Sequence, residues 1–303
     1  MRPDTNLSGG ASRALAAIWA KWKRVGGFAT SRFHCVSRSI PLGDNRTVTP
    51  RSLALCGLLL AVSANADSSS TKKKSSKTKK APKEKHDAIG FITLNGERTE
   101  VRWTDGDSFK IKEGAHKGAG TRLIGYNTLE AYGPVHQWGE WTAQELFEIA
   151  KESSQVAASQ EWDCTTDGKV DGYKRLLVKC PKLAPEMARA GHGLAYAVDG
   201  EKVDPETLAA QADAIREKRG MWAKGTTNGV ITSLHSVGED GDEEDTEAYN
   251  RVVDTRTGAA LKRKHNERYS TCQNVCLETD GQKSCMVYVP FKKRYHGQPD
   301  CLR

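Results

Sequence analysis

The sequence predicts an α+β fold: a small five-stranded β-barrel with about three helices packed on its outside. Two observations support this prediction. Short apolar runs with the character of strands occupy residues 89–126 and return over 160–180, whereas residues 137–151 and 204–219 have helical spacing. The strands come mostly before the helices, an order typical of α+β proteins.

The predicted strands share alternating or continuous apolar residues bounded by turn residues. The clearest strand is 89–94, because it ends at Asn95-Gly96, a dipeptide favoured in two-residue hairpin turns. The predicted strands are 89–94, 99–103, 108–112, 121–126, 160–165, 173–180 and a short extended piece at 195–198. The neighbouring runs 160–165 and 173–180 predict a second hairpin.

Three helices are predicted from apolar spacing and capping residues. The first covers 137–151, and the second covers 184–190 and stops at Gly191. The third covers 204–219 and begins at Asp204, a favourable N-cap residue. Short strands with one helix in their midst and two after them fit a barrel of the oligonucleotide-binding type, the OB fold.

The front of the chain has the pattern of an export signal. Residues 53–62 form an apolar run too short to span a membrane, and small residues lead to Ala66, so a signal peptide cleaved near Ala66 is predicted within 1–66. Residues 1–47 are an unusually long polar preface. We expect translation to start near Val48; the alternative is a disordered extension. Residues 67–86 are Ser- and Lys-rich and predict a disordered linker.

Charge and cysteine usage agree with export. The chain has a net charge of +8, and its basic linker over 67–86 could contact nucleic acid phosphates or an anionic envelope surface; the alternative is a solvated linker. An even number of cysteines after the leader favours disulfides in an exported protein. These cysteines are Cys164, Cys180, Cys272, Cys276, Cys285 and Cys301. The first two flank the second predicted hairpin and could pair, and the other four could form two bridges. A zinc site from these four is the alternative, although their spacing lacks the CxxC motif typical of such sites.

Three polar motifs punctuate the predicted strands. They are Asp105-Gly-Asp-Ser108, Arg122-Leu-Ile-Gly-Tyr-Asn-Thr-Leu-Glu130 and Asp171-Gly-Tyr-Lys-Arg175. Their carboxylates can hold a hard cation, and their arginines can hold a phosphate through paired donors. A further glutamate is available for acid–base work. These are the groups needed to cleave a phosphodiester.

With a fourth motif over 212–222, the order and spacing of these residues resemble the staphylococcal nuclease-like, or thermonuclease, family across about 90–222. The resemblance implies an OB-fold nuclease over 87–227, with 228–303 as an acidic loop and Cys-rich C-terminal extension. It implies calcium-dependent hydrolysis of DNA and RNA.

Site residues carry over from the resemblance by position. Arg122 and Arg175 match the arginines that hold the scissile phosphate, and Glu130 matches the general base. For Ca²⁺, Asp107 matches a carboxylate ligand, Asn127 stands where the family has a second aspartate, and Thr128 matches a residue that ligates through its backbone carbonyl.

Three residues depart from the family pattern. Asn127 removes one negative charge, Leu129 replaces a proline, and Lys174 replaces the usual glycine before Arg175. Asp105 matches an acidic neighbour of the metal site, and Tyr196 is a weak candidate for stacking on substrate.

Taken together, the motifs predict a monomeric nuclease that is secreted, or held in the periplasm or cell envelope, and has no membrane span. Its substrate is DNA, RNA or both. One alternative is a catalytically inactive nucleic-acid-binding OB-fold protein whose metal site is weakened by Asn127. Another makes 228–303 an envelope-anchoring module. His136 and His192 are expected to be surface or turn residues.

Overall fold

The computed structural model describes residues 88–198, 200–239, 246–296 and 298–302. The predicted signal peptide, the start near Val48 and the linker over 67–86 lie outside these residues, as does most of the acidic run before 246. Across the described residues, no helix combines the length and apolar character needed to cross a membrane.

The described residues contain both strands and helices, which confirms the α+β class. The strands are β1 (Ala88–Leu94), β2 (Glu97–Asp105), β3 (Ser108–Ile111), β4 (Thr121–Leu123), β5 (Gly125–Asn127), β6 (Val135–Trp138), β7 (Trp162–Cys164), β8 (Leu176–Val178), β9 (Leu194–Tyr196), β10 (Gly229–Ser233), β11 (Ala248–Asp254), β12 (Ala260–His265), β13 (Asn274–Thr279) and β14 (Gln282–Val287). The helices are α1 (Ala143–Ala157), α2 (Leu183–Ala190) and α3 (Pro205–Arg216).

The first hairpin forms as predicted. β1 and β2 pair antiparallel from Ala88↔Trp103 to Leu94↔Glu97. The turn residues Asn95 and Gly96 have φ values of 50° and 89°, and two successive positive φ values match the twist of a hairpin. Trp103 then packs inward with Phe109 and anchors the core beneath this sheet.

The strands are divided among separate sheets, and none of these sheets closes on itself within the described part of the chain. One sheet has the order β3-β2-β1-β7, while β4 pairs with β8 and β5 pairs with β9 in two-stranded sheets. The predicted strand 121–126 is therefore two strands. Gly125, with φ 96°, redirects the chain between them, a conformation that favours glycine.

The first helix begins later than predicted. α1 starts after Thr142, whose side chain accepts from the Glu145 backbone N–H while Glu145 reaches back to Thr142, a capping box. The preceding Trp138 belongs to β6, which pairs with β14 from the far end of the chain. Trp138 and Trp141 are both buried in a core with Trp222.

α2 and α3 match their predictions closely. α2 ends at Gly191, which has a left-handed conformation. α3 is capped by Asp204, whose carboxylate accepts from the Thr207 N–H, but it ends at Arg216, earlier than the predicted 219. The chain then turns through a 3-10 helix that buries Trp222 completely.

The C-terminal region contains regular structure that the sequence analysis did not predict. β10, β11 and β12 form one sheet, and β13 and β14 join β6 in another. Three disulfides are present: Cys164–Cys180, Cys272–Cys301 and Cys276–Cys285. The first confirms the predicted pair of Cys164 with Cys180, whereas β7 and β8 pair with β1 and β4 rather than forming a regular hairpin with each other. The other two exclude the zinc alternative, because all four cysteines there are oxidised. Such bridges are typical of oxidising compartments.

Candidate active site

The candidate site is built around Asp107, in the tight turn between β2 and β3. Gly106 lets this turn pack closely against its neighbours, since a Cβ there would lie 2.6 Å from the Thr128 side chain and 2.8 Å from that of Ser153. The Gly106 carbonyl accepts a 2.6 Å hydrogen bond from the Tyr126 hydroxyl. The β2–β3 turn is thereby held against the end of β5.

Four donors surround the Asp107 carboxylate, which is almost fully buried. The Ser108 hydroxyl donates to Oδ1 at 2.9 Å. Oδ2 accepts from Arg122 Nη1 at 2.5 Å, from Asn127 Nδ2 at 3.0 Å and from the Thr128 backbone N–H at 3.1 Å. The three residues predicted as metal ligands therefore meet at one carboxylate, together with one of the two predicted arginines.

Arg122 extends from β4 into this cluster, and only 16% of its side chain is exposed. Burial opposes its charge and is the largest single influence, but Asp107, Tyr196, Asp105 and Glu130 together outweigh it, so the pKa of Arg122 is raised above its ordinary value. The guanidinium also lies 5.7 Å from the ring centroid of Tyr196 on β9. Arg122 is thus a permanent buried cation.

Asp105 and Glu130 add two further acidic groups. Burial raises the pKa of Asp105 well above its usual range, and the charges of Asp107 and Glu130 raise it further. Burial and Asp107 also raise the pKa of Glu130, while Arg122, Arg294 and Arg175 act in the opposite direction. Acidic groups crowd together here around a buried arginine.

Arg175 precedes β8, the strand that pairs in parallel with β4. The register Arg122↔Leu177 and the two-residue period of strands place residues 122 and 175 on the same side of this pair. Asp171 holds the Arg175 side chain through its Oδ2, 2.7 Å from both Nε and Nη2. Lys174 has φ 62°, so this lysine adopts the left-handed conformation that glycine favours.

His136 is a site residue that the sequence analysis placed wrongly. It is buried in β6, and its Nε2 accepts a 3.2 Å hydrogen bond from the Glu130 backbone N–H. Burial lowers the pKa of His136 to about 3, so the ring is neutral and acts as an acceptor. His136 therefore positions Glu130. His192 does lie in a turn, after α2, with Nδ1 3.3 Å from Ser153 Oγ.

The oxygen atoms of this cluster suit a hard cation. Two buried atoms, Asp105 Oδ1 and Asn127 Oδ1, have no hydrogen-bond partner among the described residues. Unpaired buried oxygens are costly, and Ca²⁺ accepts carboxylate, amide and carbonyl oxygens alike. No group of three or more His, Cys, Asp or Glu residues in the described chain is arranged as a metal site, so any ion would depend on Asn127 and backbone carbonyl oxygens as well.

Two residues of the C-terminal region reach the candidate site, and no local signal in the sequence indicates this. The Tyr295 backbone N–H donates to the Tyr132 carbonyl at 2.9 Å, two residues beyond Glu130. A Cβ at Gly133 would lie 3.6 Å from Glu130 Oε2 and 3.7 Å from Arg294 Cδ. Glu130 and Arg294 thus flank the same short loop.

Comparisons with known proteins identify no family for this chain. Neither the family models nor the curated proteins match the chain. The resemblance to thermonucleases therefore depends on the four motifs, and the contacts described above are independent of it.

Proposed function

We propose that this protein is an exported, calcium-dependent nuclease that hydrolyses DNA, RNA or both with little sequence specificity. The observation that carries the proposal is the contact of Arg122, Asn127 and Thr128 with the single carboxylate of Asp107. Two motifs separated in the sequence meet there. Glu130 and Arg175, from the second and third motifs, act electrostatically on the same region.

We further propose that the first half of the described chain is an OB-type barrel. The circuit β1-β2-β3 continues from β3 to β4 through the Leu123 N–H, which donates to the Asp107 carbonyl at 2.9 Å. It continues from β4 to β8 by parallel pairing, from β8 to β7 through the bridge Thr165↔Lys179, and from β7 back to β1. This circuit has six strands, one more than the five expected from the sequence.

The proposed chemistry assigns a separate task to each charged group. A phosphodiester gathers negative charge on its equatorial oxygens as it reacts, and Arg122 and Arg175 would stabilise that charge with preorganised donors. Glu130 would take a proton from the attacking water or hold that water in place. Because His136 fixes the backbone of Glu130, the carboxylate starts from a defined position.

The residues that would hold Ca²⁺ are Asp107, Asn127 and the Thr128 carbonyl, with Asp105 as a nearby acidic group. Bound there, the ion would supply positive charge to the phosphate and polarise a water.

One observation favours the alternative of an inactive nucleic-acid-binding protein. Asp107 Oδ2 already accepts three donors, and Asn127 uses its amide nitrogen on that atom. A cation would have to compete with these donors, and Asn127 brings no charge to help it.

The test is digestion of plasmid DNA and of RNA by the purified protein, with Ca²⁺ or with a chelator. We expect digestion with Ca²⁺ only, and its loss in Glu130→Gln and Arg175→Ala variants. Arg98→Ala is a matched control, since Arg98 forms an exposed pair with Glu161. Digestion that persists in both site variants would refute the site assignment. Salt-sensitive DNA binding without digestion in any metal would favour the alternative.

The disulfides support the proposal that the protein works outside the cytosol, secreted or in the periplasm or cell envelope. Cell fractionation with N-terminal sequencing would test this and the cleavage near Ala66. We also propose a monomer, which sedimentation would test.

A further inference from the structure

The segment 291–296 forms an exposed aromatic and basic patch beside the candidate site. Tyr295 is 66% exposed and Phe291 is 47% exposed, with their ring centroids 6.3 Å apart. Lys292 and Lys293 lie between them and are exposed. A cavity of about 170 Å³ is lined by both lysines and His296, among others. Aromatic rings interleaved with cations are typical of surfaces that bind single-stranded nucleic acid.

The patch is fixed to the loop that follows Glu130. The rings of Tyr132 and Tyr295 are stacked, 6.4 Å apart with an interplanar angle of 24°, and their backbones share a 2.9 Å hydrogen bond. Tyr295 has φ 63°, a conformation that is rare for a bulky residue and costs free energy. The fold therefore holds this ring in place against a local preference.

Arg294 supplies the anchor for this conformation. Its guanidinium donates to the Val289 carbonyl at 2.9 Å, to the Leu234 carbonyl at 3.1 Å and to the Glu239 carboxylate at 2.6 Å. Arg294 and Glu239 are both about nine-tenths buried. Because its donors are used within the protein, Arg294 positions the patch, while Tyr295 faces solvent.

We propose that Tyr295, stacked on Tyr132, forms a base-stacking subsite that binds an unpaired nucleobase next to the scissile phosphate, with Lys292 and Lys293 contacting the adjoining backbone. The subsite selects single strands, because a base within a duplex cannot stack on a protein ring. This inference rests on the proposed function and adds to it a substrate class and a role for the C-terminal extension. The position beside Glu130, rather than exposure alone, distinguishes this patch from other exposed aromatics.

The test measures both binding and turnover in the full exported chain. The probes are a labelled single-stranded thymidine oligonucleotide, the same strand in a duplex, and the same strand carrying abasic positions. Tyr295→Ala should weaken binding of the single strand about 5- to 100-fold and raise KM more than it lowers kcat. Tyr295→Trp should retain binding, since it keeps a stacking surface. The abasic strand should bind the parent protein and Tyr295→Ala alike.

Phe91→Ala is the matched control, because Phe91 is a partly exposed ring packed under Arg98 in the first hairpin. It should leave binding and KM unchanged. Equal thermal melting of all variants would show that Tyr295→Ala acts on the site rather than on folding.

The outcomes separate this inference from the proposed nuclease activity. Digestion by the parent protein with unchanged binding and KM in Tyr295→Ala would overturn the subsite and leave the nuclease intact. Binding of single strands that depends on Tyr295 without any digestion would support the subsite and refute the nuclease. Equal affinity for single strand and duplex would also overturn the subsite.

Discussion

Replacing Arg122 with lysine separates the charge of this residue from its geometry. In the structure Arg122 Nη1 contacts Asp107 Oδ2 at 2.5 Å, so its remaining nitrogens are the ones that can face a phosphate. A lysine carries one nitrogen and a compact charge, so it cannot serve a carboxylate and a phosphate with separate donors. We therefore expect Arg122→Lys to retain the buried charge and to lose most of the proposed nuclease activity.

The expected losses of kcat and of folding stability have different causes. Removing a preorganised donor from a developing oxyanion costs about 3–4 kcal/mol, or about 100- to 1,000-fold in kcat. Stability should change less, because the lysine still neutralises Asp107. Arg122→Ala, by contrast, leaves a carboxylate that is only 3% exposed without its cation, and breaking such a buried pair costs about 3–5 kcal/mol of folding free energy.

The assay pairs kcat on DNA with thermal melting for the parent, Arg122→Lys and Arg122→Ala. The expected pattern is a large loss of kcat in both variants and a large loss of stability only in Arg122→Ala. If Arg122→Lys kept a third or more of the parental kcat, charge alone would suffice and the argument from paired donors would be wrong. If Arg122→Ala melted like the parent, the pair with Asp107 would contribute nothing to folding.

Three further substitutions test the surroundings of Asp107. Asn127→Asp should lower the unfolding free energy without Ca²⁺ by about 2 kcal/mol, because a donor to a carboxylate becomes a like charge, and Ca²⁺ should restore it. The pKa of His136 falls from its ordinary value of 6.5 to about 3 in the fold. The neutral ring's contribution to the free energy of unfolding is therefore complete above pH 6.5, and up to about 5 kcal/mol of it is lost as pH falls toward 3. His136→Gln, but not His116→Gln, should flatten this dependence in denaturant melts at several pH values. Gly106→Ala should cost about 1–3 kcal/mol by overpacking, whereas Gly172→Ala, with open space around it, should cost little.

Each of these substitutions has an outcome that contradicts its reason. Stabilisation of apo Asn127→Asp would mean that no repulsion exists at Asp107. An unchanged pH dependence in His136→Gln would show that another group governs acid unfolding. Equal melting of the Gly106 and Gly172 variants would show that the β2–β3 turn can move away from Thr128.

The sequence predicts correctly those features that are determined by one or two neighbouring residues. The Asn95-Gly96 turn, the Asp204 cap and the Gly191 stop are each set by one or two residues, and the structure has all three. That Asp107, Asn127 and Thr128 lie together was implied by the family resemblance and not by a local signal, and hydrogen bonds join them in the structure.

Features that depend on distant partners were not predictable in the same way. Gln137 and Trp138 have helical spacing with the residues that follow, yet they lie in β6 because β14 supplies a strand for pairing. His136 looked like a surface residue for the same reason, since the elements that cover it come from elsewhere in the chain. β12 and β13 have weak periodicity because no residue of β12 is buried and only Val275 is buried in β13.

Asn127 has a physical explanation within the charge balance of the cluster. Asp105, Asp107 and Glu130 already place three acidic groups near Arg122, and a fourth at position 127 would sit in contact with Asp107 Oδ2, where Asn127 Nδ2 now donates at 3.0 Å. An aspartate there suits a site that always contains a cation, because the ion compensates the charge. An asparagine allows the same loop to fold with or without one, since its nitrogen satisfies Asp107 while its unpaired Oδ1 stays available to a cation. In the proposed Ca²⁺ site, Asn127 therefore stabilises the cluster without needing an ion, and the expected consequence is weaker calcium binding by a fold that does not need calcium to form.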